Sequence, residues 1–459
     1  MDSADPQTLR SRALALCAEQ RLDEAERDLA AAVARFPGDP GLAFVHAQVR
    51  YERGYPAADL FARAEALAPD HPEIVRNYAL ALLSEGRRDA ARARLEARLA
   101  RHPDWLDGHK ALATLNWTGG DQTGFSDHLA AACRAQPDNA ALWLAWFRNL
   151  AQARQWQAAS AVLDEAERHL GPRPDLAVSR LFVAVESAAP DAARHIAATA
   201  AIRGDVASLC RIRHALRQGD ARTAEGEALP LTAGPSAALY WPYLSLCWRL
   251  LGDPRAEWLD RPADLIRSFD AGIDPAELAA LADLLRGLHT ASQPYIEQSV
   301  RGGTQTDRSV LLRHEPELQR LKARLLAVIR DYSEGLPPND PAHPLLSAPR
   351  DGRLLIAGSW SVRLHRLGHN VPHTHAMGWL STAFYVALPD PVAMGPAPAG
   401  HIAFGAPPPE LGLDLAPYRT LAPQAGHLAV FPSTLWHSTV PFDDGERLVV
   451  AFDIRRPTV

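Results

Sequence analysis

"VPHTHAMGWLSTAFYVALP", residues 371–389, decides how the chain is read. Its second half is a run of strand-forming residues, and its first half places two histidines, two apart, at the mouth of that run. Side chains at i and i+2 of a strand share a face, so His373 and His375 point the same way if the strand extends that far. Two imidazoles so placed can share one metal ion. Taken alone, the H-x-H pattern is equally met by buried polar residues or by surface decoration.

The surroundings of this stretch share its pattern. From about residue 353 the runs are short and alternate with period two: "RLLIAG", "WSVRLHRL", "LSTAFYVAL", "HIAFG", "HLAVFPS" and "RLVVAFDI", separated by clusters of Gly, Pro and Asp. Several short strands without helical crossovers predict a small antiparallel barrel or jelly roll. The proline-rich "GPAPAGHIAFGAPPPELG" reads as loops at its rim. Downstream, "GHLAVFPSTLWHSTVPFDDGERLVVAFDI" carries His437 just after an apolar run and Arg447 at the start of the next. A jelly roll brings distant strands together, so His437 can complete a facial triad that leaves coordination sites open. Arg447 supplies a permanent, fork-shaped cation for a carboxylate inside an apolar barrel. A tight hairpin at Asp444-Gly445 would hold Arg447 roughly 16 Å along the sheet from His437. The expected connection is therefore a wider loop over residues 439–446.

Upstream the pattern is helical and repeating. Prolines recur at Pro37, Pro69, Pro103, Pro137 and Pro172, spaced 32, 34, 34 and 35 residues apart. Before several of them stands a small-large-small set at spacings of four and three: Ala25/Leu29/Ala32, Ala57/Phe61/Ala64 and Ala159/Leu163/Ala166, with a partial copy in Ala91/Leu95. These spacings fall on one helix face, where small residues admit a neighbouring helix and the large one fills the groove. Between the two regions lie the helical "DPAELAALADLLRGLH", the Gly/Thr/Gln-rich "SQPYIEQSVRGGTQT", one more amphipathic helix in "EPELQRLKARLLAVIRDYSEGL" and a proline-rich break. "RGGTQT" reads as a loop whose paired glycines allow close backbone approach, and not as a phosphate loop. The expected domains are 1–285 and 286–459.

Bulk composition excludes several classes. The 459 residues are 47% hydrophobic and 22% charged, with a formal net charge of −6 and no basic run, so no nucleic-acid partner is indicated. No stretch approaches a membrane span, and the acidic start does not read as a signal peptide. The four cysteines, Cys17, Cys133, Cys210 and Cys247, fit neither a disulfide framework nor a zinc site and read as small buried hydrophobes. A cytoplasmic setting is the expectation. His365, His369, His401 and His427 read as ordinary polar residues at strand ends or loops.

Two resemblances follow from these residues. The proline-phased helical region resembles the tetratricopeptide repeat over about residues 6–175, decaying to about 270, although the large aromatic positions of that family's first helix are mostly Leu, Ala or Val here. "QSVRGGTQT", "WSVRL", "PHTHAMGWLSTAFYVALP" and "GHLAVFPSTLWHSTVPFDDGERLVVAFD" resemble the 2-oxoglutarate/Fe(II)-dependent dioxygenases of the double-stranded β-helix type. The closer likeness is to the oxygenase family found fused to tetratricopeptide repeats and related to prolyl and aspartyl/asparaginyl hydroxylases. The implied fold is a helical solenoid followed by a jelly roll with flanking helices. The resemblance implies Fe(II), 2-oxoglutarate and O2 as cofactors, His373 and His437 as iron ligands, and Arg447 as the grip on the far carboxylate of 2-oxoglutarate. Ser381 and Tyr385 are spaced to offer hydroxyls to that cosubstrate, with plain core packing as the alternative, and Arg363 could reach the same cavity.

One departure matters. Most such enzymes carry an acid at the third position of the proximal motif, where this chain has His375. His375 is a third ligand, a residue behind the ligands, or a substrate contact, and loss of the acid also leaves room for an inactive relic. The leading expectation is hydroxylation of a side chain on a peptide or protein presented by the repeats. The rivals are a non-catalytic scaffold with a degenerate barrel, and a three-histidine cupin-like dioxygenase that uses no 2-oxoglutarate. The sequence names neither the substrate nor the oligomeric state.

Overall fold

The computed structural model describes residues 5–296 and 298–458; the first four residues of the acidic start lie outside them. The chain gathers into two compact units: residues 1–153 with 290–296 and 308–319, and residues 154–289 with 297–307 and 320–459. The sequence pattern changes near 285, whereas compactness divides the chain at 153/154.

The first unit is built of helical hairpins: 6–18 with 22–35, 40–52 with 58–67, 72–84 with 88–101, and 106–118 with 127–135, followed by 140–152. The phased prolines stand just past the second helix of each hairpin, where a residue lacking an N–H cannot extend it. Starts are equally local. Pro6, Pro40 and Pro72 occupy the first helical turn, and the Asp5 and Asp39 carboxylates accept from the backbone N–H of Thr8 and Leu42. Every member of the small-large-small sets in this unit is buried, which identifies the pattern as the hairpin packing face.

In the second unit, helices 156–170, 174–186, 205–217, 221–228 and 241–251 continue the hairpin style beside an antiparallel barrel. Its strands are β1 (Arg267–Asp270), β2 (Val300–Gln305), β3 (Ile356–Asn370), β4 (Leu380–Ala387), β5 (Ile402–Phe404), β6 (Arg419–Leu421), β7 (His427–Pro432), β8 (His437–Thr439) and β9 (Arg447–Ile454). The larger sheet runs β1-β7-β4-β9-β3-β2 and the smaller β6-β5-β8, all antiparallel. This is a solenoid followed by a jelly-roll domain with flanking helices.

Three local expectations change. β1 lies in a stretch read as helical repeat; its residues pair with β7 from Arg267↔Val430 to Asp270↔His427 and close the sheet edge. "RGGTQT", read as a loop, is mostly strand β2, and the glycines permit close packing on β3: a Cβ on Gly303 would lie 2.2 Å from the Arg363 carbonyl. Two runs read as separate strands, 353–358 and 360–367, fuse into the long β3.

The helices fix the barrel through large apolar residues. Trp436, next to His437, joins Tyr240, Leu244, Cys247, Trp248 and Leu411 in one core, and its indole N–H donates to the Pro242 carbonyl at 2.9 Å. Cys133, Cys210 and Cys247 are buried free thiols whose pKa burial raises to about 12. Among the described residues no helix is long and apolar enough to cross a membrane.

Among the costly buried groups of the helical layer, Asp260 is an acid. Asp260 is buried, accepts from the Ser245 hydroxyl at 2.7 Å through one oxygen, and leaves the other without a partner. Burial raises its pKa to about 7. An acid with a raised folded-state pKa contributes stability that is present below its unfolded pKa and lost as pH rises through the folded value. The Tm of wild type should therefore fall as pH rises from the ordinary carboxylate pKa of 3.8 to about 7. Asp260→Asn should flatten that slope; an unchanged slope in the variant would assign it to other groups.

Candidate metal centre

The site begins with an isolated antiparallel bridge. His373 and His437 exchange backbone hydrogen bonds, N–H to O at 3.0 and 3.1 Å. Residues so paired present their side chains side by side on one face, and the two rings stand 4.2 Å apart between centroids. β3 ends at Asn370 and β4 starts at Leu380, so His373 and His375 lie in the connection and do not converge by strand alternation. His375 is aimed instead by its own N–H, which donates to the Ser433 carbonyl at 2.9 Å. Its ring lies 5.0 Å from each of the other two, and one ring nitrogen of each histidine falls within 4.8 Å of the others.

The second nitrogen of each ring is already engaged. Nδ1 of His373 meets the Val371 carbonyl at 2.8 Å, Nδ1 of His437 the Leu435 carbonyl at 3.0 Å, and Nδ1 of His375 the Asp453 carboxylate at 2.8 and 2.9 Å. Each acceptor holds a proton on Nδ1 and leaves the Nε2 lone pair for a metal. Burial, then the neighbouring His375, pushes the His373 pKa down to about 3; burial, then His373 and His375, drives His437 well below its usual value. Both rings are therefore neutral near pH 7, as ligands must be. The donor set fits one first-row divalent ion.

Asp453 is the residue the sequence reading passed over. It follows Arg447 on β9 at even spacing, so Arg447, Val449, Ala451 and Asp453 share a face. The register sets Ser381 opposite Asp453 and Tyr385 opposite Val449. The acid absent from the H-x-H motif thus stands behind His375. The Ser381 hydroxyl reaches Asp453 at 2.6 Å and Ser433 at 2.9 Å, which holds that carboxylate in place. Even spacing from Arg447 was the available signal. Asn370 was also missed: it lines the cavity, and its amide donates to the Ser299 hydroxyl at 2.9 Å.

The histidines and Arg447 line one cavity with Trp360, Val362, Phe431 and Val449. Arg447 is 3% exposed and, among the described residues, forms no ion pair; its Nε has no hydrogen-bond partner there. Its guanidinium lies 5.1 Å from the ring centre of Tyr385, whose buried hydroxyl interacts with it without a well-formed hydrogen bond. Burial depresses the arginine's pKa and raises that of the tyrosine. A buried cation without a counter-charge is costly and calls for an anion in the cavity. β8 and β9 lie in different sheets, joined by residues 440–446, so the wide connection replaces a hairpin.

Arg363 does not join the site. Alternation along β3 turns it to the opposite face from Val362, and its Nε donates to Glu446 at 2.6 Å, a carboxylate shared with Arg286.

Residues 358–453 match the family model described as "Putative 2OG-Fe(II) oxygenase". The barrel matches an oxygenase family. Residues 57–115 match the tetratricopeptide repeat model. The oxygenase match spans the three histidines, Arg447 and Asp453. Among solved structures, the chain is similar to PilF of Pseudomonas aeruginosa (15% identity, 50% of this chain, 90% of that one, TM-score 0.29). It is also similar to PilW, a type IV pilus biogenesis factor (17%, 45% and 99%, TM-score 0.29). A tetratricopeptide repeat protein of Parabacteroides merdae compares at 13%, 46% and 85%, TM-score 0.30. No curated protein matches the sequence significantly.

Removing the carboxylate behind a metal-bound histidine typically weakens metal affinity about 10–100-fold. Asp453→Ala should show that loss in a Co(II) titration followed by its d–d absorption. Binding as tight as wild type would show that His375 is not a ligand.

Proposed function

We propose that the protein is an Fe(II)- and 2-oxoglutarate-dependent dioxygenase that hydroxylates a side chain of a peptide or protein presented by its repeat region. The observation that carries this reading is the unpaired, buried guanidinium of Arg447 in the same cavity as three convergent imidazoles. A metal site alone fits many chemistries. A metal site with a buried cation beside it fits a ligand with one end for the metal and a carboxylate for the arginine. A three-histidine site without 2-oxoglutarate gives Arg447 no task, and a degenerate barrel leaves both the lone pairs and the cation unexplained.

Fe(II) with bound 2-oxoglutarate supplies the oxidising power: O2 is consumed, the oxo-acid becomes succinate and CO2, and one oxygen atom enters the substrate as hydroxyl. The chain's residues bind and orient. His373 and His437 present neutral lone pairs. His375 is held by Asp453, which Ser381 fixes in turn. Arg447 takes the far carboxylate of the cosubstrate, with the Tyr385 hydroxyl as a second donor. Val362, Val449 and Phe431 form apolar walls that exclude water, which strengthens the arginine's electrostatic hold.

In this proposal residues 1–285 serve as the repeat region and 286–459 as the catalytic region. The setting is cytoplasmic, and neither nucleic acid nor membrane is a partner.

Arg447 provides two tests. Truncating one partner of a buried charge pair costs about 2–5 kcal/mol, so Arg447→Ala should raise the 2-oxoglutarate requirement for succinate formation by roughly 30-fold or more. Equal succinate formation by both proteins would remove Arg447 from the site. In the absence of cosubstrate, Arg447→Met should raise Tm, because it removes an unpaired buried charge. With metal already present, added 2-oxoglutarate should raise the Tm of wild type and raise that of the Met variant far less. A Met variant less stable than wild type would show that the cation already has its counter-charge.

A further inference from the structure

A second set of arginines lies at one end of the barrel, in the same compact unit. Glu410 sits in the turn Pro409–Leu411 that follows β5, the strand whose Phe404 pairs with His437. Arg154 forms an ion pair with Glu410 at 2.5 Å, and the Nε of Arg217 donates to the Glu410 carbonyl at 2.6 Å. Arg213 lies one turn before Arg217 on the helix Asp205–Arg217. It is satisfied by Glu186, two bonds of 2.6 and 2.8 Å, and by the Tyr243 hydroxyl at 3.0 Å. Arg301 approaches from β2, where it pairs with His369.

The charges do not balance. Four guanidinium groups, Arg154, Arg213, Arg217 and Arg301, share two carboxylates, Glu186 and Glu410. Arg213 takes the first and Arg154 the second. Among the described residues, Arg217 and Arg301 find backbone carbonyls only: Glu410 for the former, Gln298 and Val300 at 2.9 and 2.8 Å for the latter. The Arg217 Nη2 is buried without any partner. Burial, then the charge of Arg154, depresses the pKa of Arg301 against the opposing charge of Glu410; burial likewise depresses Arg217, with Glu186 and then Glu410 opposing and Arg213 adding to it. The described residues thus offer these two cations no ion pair of their own in partly dry surroundings, where an added carboxylate gains most.

Position ties this cluster to the metal centre. Arg301 is two residues beyond Ser299, whose hydroxyl stands 3.4 Å from Nε2 of His373 and also receives the Asn370 amide. One short segment of chain therefore reaches a metal-facing nitrogen at Ser299 and an under-neutralised guanidinium at Arg301. Positions 299 and 301 are about 7 Å apart along an extended backbone, the same spacing as residues two apart on an extended polypeptide substrate.

We infer that Arg301 and Arg217, with Arg154, form a subsite for a carboxylate of the substrate, so that the protein acts on acidic polypeptide sequences, with Asp or Glu close to the reacting residue. This rests on the oxygenase reading for the word substrate. Glu410 acts as the internal counter-ion that the incoming carboxylate displaces from Arg154.

The test uses the metal-free full-length chain and fluorescein-labelled short peptides of alternating glycine with glutamate, glutamine or lysine, followed by fluorescence anisotropy. The glutamate peptide should bind, and weaken as salt is raised; the glutamine and lysine peptides should not. Loss of one charged contact should weaken the glutamate peptide by about 10-fold in Arg301→Gln. Glu410→Gln removes the competing carboxylate and should tighten binding by several-fold, a gain that misfolding cannot mimic. Equal binding of glutamate and glutamine peptides, or a Glu410→Gln variant that binds no tighter, would overturn the subsite. Succinate formation is read separately in the Fe(II)-loaded protein. Acid-selective binding without succinate formation keeps the anion site and rejects the oxygenase reading. Succinate formation without acid selectivity does the reverse.

Discussion

The centre depends on the reciprocal backbone hydrogen bonds between His373 and His437. They attach the segment between β3 and β4 to the free side of β8, and so bring together two imidazoles more than sixty residues apart in the chain. Strand pairing has a period of two, so a slip of one residue would turn one imidazole out of the cavity. Trp436 guards the register from the far side: its ring is buried among the helices and its N–H is bonded to Pro242. The flanking helices are therefore part of the metal-site architecture.

Charge placement follows from that frame. Two imidazoles are kept neutral by burial, the third leans on a carboxylate, and the buried cation in the cavity lining, Arg447, has no anion among the described residues. The carboxylate behind His375 gives an all-imidazole donor set part of the negative charge that a direct acid ligand would bring. An open metal face and an unpaired guanidinium are both costly in the empty protein. In the proposed function their cost is offset when an anionic chelator and a cation enter together, which would couple the binding of the two. The second arginine cluster repeats the same physics at the barrel end, with Glu410 as a weak internal stand-in for an external carboxylate.

Much of this was legible in residue order. Proline phasing and the small-large-small sets located the hairpins because both are local effects of backbone geometry and helix-face spacing. Alternation located most of the barrel strands for the same reason. β1 was not legible: four residues in a helical stretch become strand only because β7 offers them an edge. The β2 glycines looked like loop residues, and they are strand because close packing on β3 excludes a side chain. Arg363 and Arg447 look alike as arginines on barrel strands. Only the register shows that one faces Glu446 and the other the cavity.

The sequence by itself determined which residue types were present at each strand mouth: two histidines, a third after the next apolar run, and an arginine at the head of the last strand. Those are local facts, fixed by spacing and by the period of a strand. Tertiary structure alone decided that the rings converge through a backbone bridge and not by alternation, that Asp453 rather than a motif acid supports His375, and that Arg447 is left without a partner. Each of these is a statement about what lies across a sheet or a cavity, and distance through space is set by packing and register, which no local pattern records.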